Sequence, residues 1–352
     1  MESLLNDEPG RVVVNTHVLD SHAEPLSSPP PAPSVSRRLA AEFLGTFVMM
    51  VFGIGVDCQT IFSKAGSCAY ALETGAPQVS SDGGELSINL CWGAGVFFGV
   101  MIAGGVTGAH LNPAVVSARF GLGSANQQTH PAPYSQIPSL HTPTSRQPTL
   151  PRQSVTMALR KELEWSMVLP YFFAQFLGAF VASAVMFLNY SPAMYHYARK
   201  CCDGTDSPFY DGCREDTAHA WTSFPQRYES VGYGFADQLI GTAILLGGIS
   251  AIIDAKQRRP HPPAGPFTVA ASVGALVVAI GMSMGYNAGY PINPARDFGP
   301  RVFCWMAGWG DFVFKAGDMW WWVPIVAPLL GGPLGSLTYW SFVEVWLPQD
   351  AP

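Results

Sequence analysis

Apolar residues gather into long runs along this chain, with polar connections between them. Six runs cover about Leu39–Val56, Ile88–Val106, Met167–Leu188, Phe235–Ile253, Phe267–Gly285 and Trp322–Val345, and none contains Lys or Arg. A helix rises about 1.5 Å per residue, so about 20 apolar residues cross the roughly 30 Å of hydrocarbon in a bilayer. The pattern therefore predicts an all-α polytopic membrane protein with six transmembrane helices. Residues 1–37 carry Pro29, Pro30, Pro31 and Pro33 and no long apolar run. They read as a disordered tail rather than a signal peptide. Residues 38–346 form the membrane domain, 347–352 a short second tail, and Trp320, Trp321 and Trp322 suit a membrane-interface belt.

The six runs form two related halves. Glu42-Phe43-Leu44-Gly45-Thr46 in the first run answers Gln238-Leu239-Ile240-Gly241-Thr242 in the fourth. Asn112-Pro113-Ala114 follows the second run, and Asn293-Pro294-Ala295 follows the fifth. Each half thus has three spans. Three is odd, so the second half inserts upside-down, and the equivalent loops enter from opposite faces toward one midplane.

Composition agrees: 352 residues, 48% hydrophobic and only 12% charged, with mean hydropathy +0.19. A net charge of −6 offers no basic patch, so no nucleic-acid partner is expected. With the N-terminus inside, the inner segments 1–38, 116–166 and 254–266 hold eleven Lys and Arg, against five in the outer connections 57–87 and 189–233. Both termini inside is the reading this bias supports. No metal-ligand spacing, cofactor motif or nucleophile–base pair stands out, so neither a cofactor nor an enzyme is predicted.

Asn-Pro-Ala carries the chemistry. Proline suits the first position of a helix, with Asn before it as cap. A helix that starts inside a membrane presents free N–H groups and the positive end of its dipole. Two such ends meeting at the midplane repel protons and cations while neutral solutes pass, and the two Asn amides offer donors to a passing oxygen.

Thr107-Gly-Ala-His-Leu-Asn-Pro-Ala-Val115 and Gly285-Tyr-Asn-Ala-Gly-Tyr-Pro-Ile-Asn-Pro-Ala-Arg-Asp-Phe-Gly-Pro-Arg301 resemble the major intrinsic protein family, and within it the aquaglyceroporins. The resemblance covers about residues 38–345. It implies six tilted helices, two half-helices meeting in the middle, one pore per subunit, and a homotetramer in a lipid bilayer, the plasma membrane, passing glycerol, water and other small neutral solutes. By distance from each Asn, it implies a selectivity filter of Trp92, Gly281, Tyr290 and Arg296. Glycine at 281, where water-only members commonly carry His, leaves room. Trp92 and Tyr290 would form an aromatic corner for carbon, and Arg296 would donate to hydroxyls. Asp297 is the glycerol-type residue. Glu42 and Gln238 would support the two inward loops, and His110 reads as a loop histidine held by hydrogen bonds. A strict water channel and a non-conducting membrane protein are the alternatives.

The pattern is broken once. Residues 116–154, 39 in all, hold six prolines, six serines and no Asp or Glu. They read as an insertion in the first half-helix, after which Val155-Thr156-Met157-Ala158 resumes. The stretch Pro113–Phe120 could still form the half-helix, ended by Gly121. Cys201, Cys202 and Cys213 fall in an outer connection where one disulfide or free thiols both fit. Asn189-Tyr190-Ser191 is a glycosylation sequon at the predicted outer end of the third span.

Overall fold

The computed structural model describes residues 33–77, 79, 82–118, 165–202, 207–254 and 265–347. The predicted tail 1–37, apart from its last five residues, lies outside them, as do 119–154 of the predicted insertion and all but the first residue of 347–352. Among the described residues every regular element is helical. The long helices are α1 (Val35–Phe62), α3 (Glu85–Thr107), α5 (Trp165–Cys201), α7 (Val231–Ile253), α8 (Pro266–Ala288) and α11 (Val323–Phe342). Shorter ones are α2 (Ala65–Thr74), α4 (Pro113–Ala118), α6 (Arg214–His219), α9 (Pro294–Cys304) and α10 (Phe312–Met319).

Local signals set the ends. The Ser34 and Ser230 hydroxyls cap α1 and α7 by accepting from the backbone N–H of Arg37 and Tyr233. The helices α3 and α8 both stop at a glycine in the left-handed region, Gly108 at φ 77° and Gly289 at φ 72°. Length and apolarity alone qualify five helices as membrane spans: α1, α3, α5, α7 and α8. The remaining long helix, α11, has 20 residues diluted by Pro324, Pro328 and Pro333. It packs along α7.

The two halves exchange their short helices. In one half α1 lies against α3 and α5; in the other α7 lies against α8 and α11; α3 against α8 joins them. The half-helix α4 packs on α11, and α9 packs on α5. Small residues permit these approaches, as in other membrane bundles. A Cβ on Gly99 would stand 2.8 Å from the Gly45 carbonyl oxygen, and Gly93 and Gly274 face each other's carbonyls at 2.7 Å.

Several expectations need correction. The third span was expected to end at Leu188, but α5 runs on to Cys201 through Pro192. Its extension buries Met194, Tyr197 and Ala198 against Phe62 and Trp221, and this packing outweighs the polar composition that suggested a loop. Asn189 therefore sits inside a continuous helix, where the Ser191 hydroxyl donates to the Phe187 carbonyl. The first span likewise continues past Val56 to Phe62. Trp320 is no interface residue: it is fully buried and its Nε1 donates to Ser223 Oγ at 3.1 Å. The connections 57–87 and 189–233 contain α2 and α6 and two disulfides, Cys68–Cys201 and Cys202–Cys213. Finally, Val116 and Ala118, the start of the predicted insertion, belong to the core of α4, where Val116 clusters with Met167 and Tyr171.

Candidate functional site

The two Asn-Pro-Ala segments meet. Asn112 Oδ1 accepts from the Ala114 N–H at 2.8 Å, and Asn293 Oδ1 accepts from those of Ala295 and Arg296 at 3.0 and 3.3 Å. Each side chain caps its own helix, with Pro113 and Pro294 in first place and Ala114 and Ala295 packed behind, both fully buried. The amide nitrogens cross over: Asn112 Nδ2 donates to the Ile292 carbonyl at 3.0 Å, and Asn293 Nδ2 to the Leu111 carbonyl at 2.9 Å. An amide nitrogen carries two hydrogens, so the cross-bond uses one from each Asn.

The loops leading in share an unusual backbone. Gly108, Ala109 and Leu111 have φ of 77°, 52° and 54°; the equivalent Gly289, Tyr290 and Ile292 have 72°, 38° and 21°. Left-handed non-glycine residues cost on the order of 1–3 kcal/mol each and persist only where the surroundings hold them. Glu42, fully buried in α1, holds the first loop. Its Oε1 accepts from Thr107 Oγ1 at 2.5 Å, His110 N at 3.0 Å and His110 Nδ1 at 3.1 Å. Its Oε2 accepts from Leu111 N at 2.9 Å and Gln175 Nε2 at 2.8 Å. In the second half Gln238 Oε1 accepts from Ile292 N at 3.2 Å, while its Nε2 donates to Asp237 at 2.8 Å. The first loop segment directs four hydrogens at one side chain and Gln175 on α5 a fifth, which calls for a carboxylate; the second loop directs one, and an amide suffices.

A cavity runs past these loops. Val96, Val100, Leu245, Ile249, Val273 and Val277 form an apolar wall; residues 108–112 and 290–293 form the other side, with Trp92 and Arg296 also lining it. The Arg296 guanidinium carbon lies 4.5 Å over the Trp92 ring, a cation–π arrangement. The space over Gly281 is taken by its neighbours. A Cβ there would stand 2.5 Å from Tyr290 Cζ and 2.7 Å from Tyr290 Oη, and closer still to Asn89 Oδ1. The missing side chain thus seats the Tyr290 phenol rather than leaving an open gap.

Asp297 stands apart from this lining. It is fully buried and receives Arg301 Nε and Nη2 at 2.9 and 2.7 Å and the N–H of Ser223 at 2.9 Å. Arg301 in turn donates to the Val313 and Ser223 carbonyls. Asp297 therefore clasps α9 to the segments around Ser223 and Val313, one residue beyond the arginine at the cavity.

Two residues escape the sequence reading. Asp57, nearly buried in α1, accepts from Trp92 Nε1 at 3.3 Å, and the Trp92 ring lies on Gly53, where a Cβ would fall inside 3.0 Å of three ring carbons. Ending the first span at Val56 put Asp57 outside the membrane. Asn89, three residues before Trp92 and 3% exposed, was passed over inside an apolar run. Its signal was a lone carboxamide in that run.

The chain matches the family model described as "Major intrinsic protein" over residues 31–132 and 151–339, with the break inside the predicted insertion. It is 33% identical over 314 residues to aquaporin-7 of Mus musculus, covering 89% of this chain and 82% of that protein. It is 33% identical over 315 residues to aquaporin-10 of Homo sapiens, covering 90% and 83%. The X-ray structure of the aquaglyceroporin from Plasmodium falciparum superposes with a TM-score of 0.60 at 25% identity, covering 88% of this chain and 97% of that one.

Proposed function

This chain belongs to the major intrinsic protein family, and we propose that it is a passive channel for glycerol, other small neutral solutes and water that excludes protons and ions. The observation that carries this reading is the cavity with one apolar wall, on which the N-termini of α4 and α9 converge beside Arg296. A polyol has a carbon side and a hydroxyl side. The apolar wall and Trp92 take the carbon; Arg296 and the second hydrogen of each Asn amide donate to the hydroxyls and replace lost water. Two helix N-termini and a guanidinium place positive potential on the path, so a cation meets a barrier that a neutral molecule does not.

The filter consists of Trp92, Gly281, Tyr290 and Arg296, and Glu42, Gln238 and His110 act from behind by holding the loops. Both termini lie in the cytoplasm and the protein works as a homotetramer in the plasma membrane. One disulfide, Cys68–Cys201, joins the segments 57–87 and 189–233, and a second, Cys202–Cys213, lies within 189–233, which supports placing that face in an oxidising compartment. The test is the osmotic response of proteoliposomes. Vesicles shrink in sorbitol and stay shrunken; in glycerol they shrink and reswell. Vesicles that pass water quickly yet treat glycerol like sorbitol refute the glycerol reading in favour of a strict water channel.

A further inference from the structure

Three polar atoms at the filter are buried and lack a hydrogen-bond partner among the described residues: Asn89 Oδ1, Tyr290 Oη and Arg296 Nη1. Their side chains are also well enclosed, with Asn89 3% and Tyr290 8% exposed and the Arg296 side chain 12% exposed. Arg296 Nη1 has only a 3.9 Å ion contact, to Asp297. A buried polar atom without a partner costs on the order of 1–3 kcal/mol, and native proteins rarely leave several together unless something else fills the site.

The three atoms are complementary. Arg296 Nη1 can only donate, Asn89 Oδ1 can only accept, and the Tyr290 hydroxyl can do either. Asn89 Oδ1 and Tyr290 Oη both crowd the point where a Gly281 Cβ would lie, so the two oxygens border the same niche. Tyr290 and Arg296 line the cavity. Water, with two hydrogens and two lone pairs, can satisfy part of this set. A polyol with adjacent hydroxyls can accept from Arg296 through one and donate to Asn89 through the next.

We infer that Asn89 is a specificity-determining residue of the filter, accepting a hydrogen bond from a hydroxyl of a polyol held by Arg296 and Tyr290. The assignment rests on the polyol-channel reading and deepens it: selection works through a hydrogen-bond acceptor on α3 as well as through pore width.

The experiment uses full-length protein in proteoliposomes, with glycerol and water permeability measured by stopped-flow light scattering at equal protein content. Asn89→Leu keeps the side-chain size and removes the acceptor. It lowers glycerol permeability about threefold to tenfold, the scale of one hydrogen bond, and lowers water permeability by a smaller factor, so the glycerol-to-water ratio falls. Asn89→Ser, which retains an oxygen, falls between Asn89→Leu and the unsubstituted protein. Combining Asn89→Leu with Tyr290→Phe loses less than the product of the separate losses, because both oxygens serve one niche. Glycerol permeability of Asn89→Leu at the unsubstituted level overturns the assignment; so does a parallel fall of glycerol and water, which marks a packing role. An unsubstituted protein that passes water but no glycerol refutes the polyol reading itself, and this assignment with it.

Discussion

Gly53→Ala tests how tightly α1 sets the filter. Gly53 lies in α1 against the Trp92 ring, and an added methyl would fall inside 3.0 Å of Cη2, Cζ2 and Cζ3. Carbon atoms settle at about 3.5–4.0 Å, so the ring must retreat by roughly 1 Å. It has little space to do so: Asp57 holds its Nε1 at 3.3 Å, and Arg296 lies 4.5 Å over its face. Overpacking of this kind costs about 1–3 kcal/mol, while replacing a helical glycine by alanine returns about 0.5–1 kcal/mol. The net loss of stability is therefore small, on the order of 1 kcal/mol, and the protein still folds. The ring moves toward the lumen, where the lost width raises the barrier for the larger solute. If 1–2 kcal/mol of this strain appears in passage, glycerol permeability falls about tenfold, and water permeability falls less. Stopped-flow light scattering on proteoliposomes measures both. Gly66→Ala, whose Cβ would meet nothing within 4 Å, is the control. A Gly53→Ala protein with unchanged glycerol permeability refutes the argument that α1 sets the position of Trp92.

Gly281→His drives its side chain into the niche held by Asn89 and Tyr290; glycerol flux falls while water flux survives, and equal loss of both counts against a filter based on size. Arg301→Met leaves the buried Asp297 carboxylate without its strongest partner, at a cost of about 3–5 kcal/mol. The fraction surviving heat treatment, read by size-exclusion chromatography, drops, but the glycerol-to-water ratio of the surviving protein is unchanged because Asp297 does not line the cavity; a changed ratio gives Asp297 a direct part in selection. Arg296→Val removes the guanidinium that lines the cavity, and voltage clamp in oocytes then records a cation leak absent from the unsubstituted channel; no leak assigns the barrier to the helix ends alone.

Much of the site was legible because the chain states it twice. Asn112-Pro113-Ala114 and Asn293-Pro294-Ala295 each announce a capped helix start, and the odd number of spans per half dictates that they approach from opposite faces. Glu42 stood out as a carboxylate within an apolar run. Other features depend on contacts between distant segments. The extension of α5 to Cys201 rests on packing against Phe62 and Trp221, which no local pattern records. Cys68 was not connected to Cys201, 133 residues away, because pairing requires proximity in space. Gly281 was legible as a missing side chain, but only the fold reveals that Tyr290 and Asn89 occupy the vacated space. Trp320 lies within a tryptophan run that composition assigns to an interface, yet its indole N–H turns inward to Ser223.

The central claim is passage of a neutral polyol without protons. Proteoliposomes loaded with a pH-sensitive dye and given an outward potassium gradient with valinomycin allow both to be read on one preparation: glycerol entry by light scattering, proton entry by the dye. The account predicts rapid glycerol equilibration with proton entry no faster than in protein-free vesicles. Proton entry that rises with protein content, or glycerol entry no faster than through lipid alone, contradicts it.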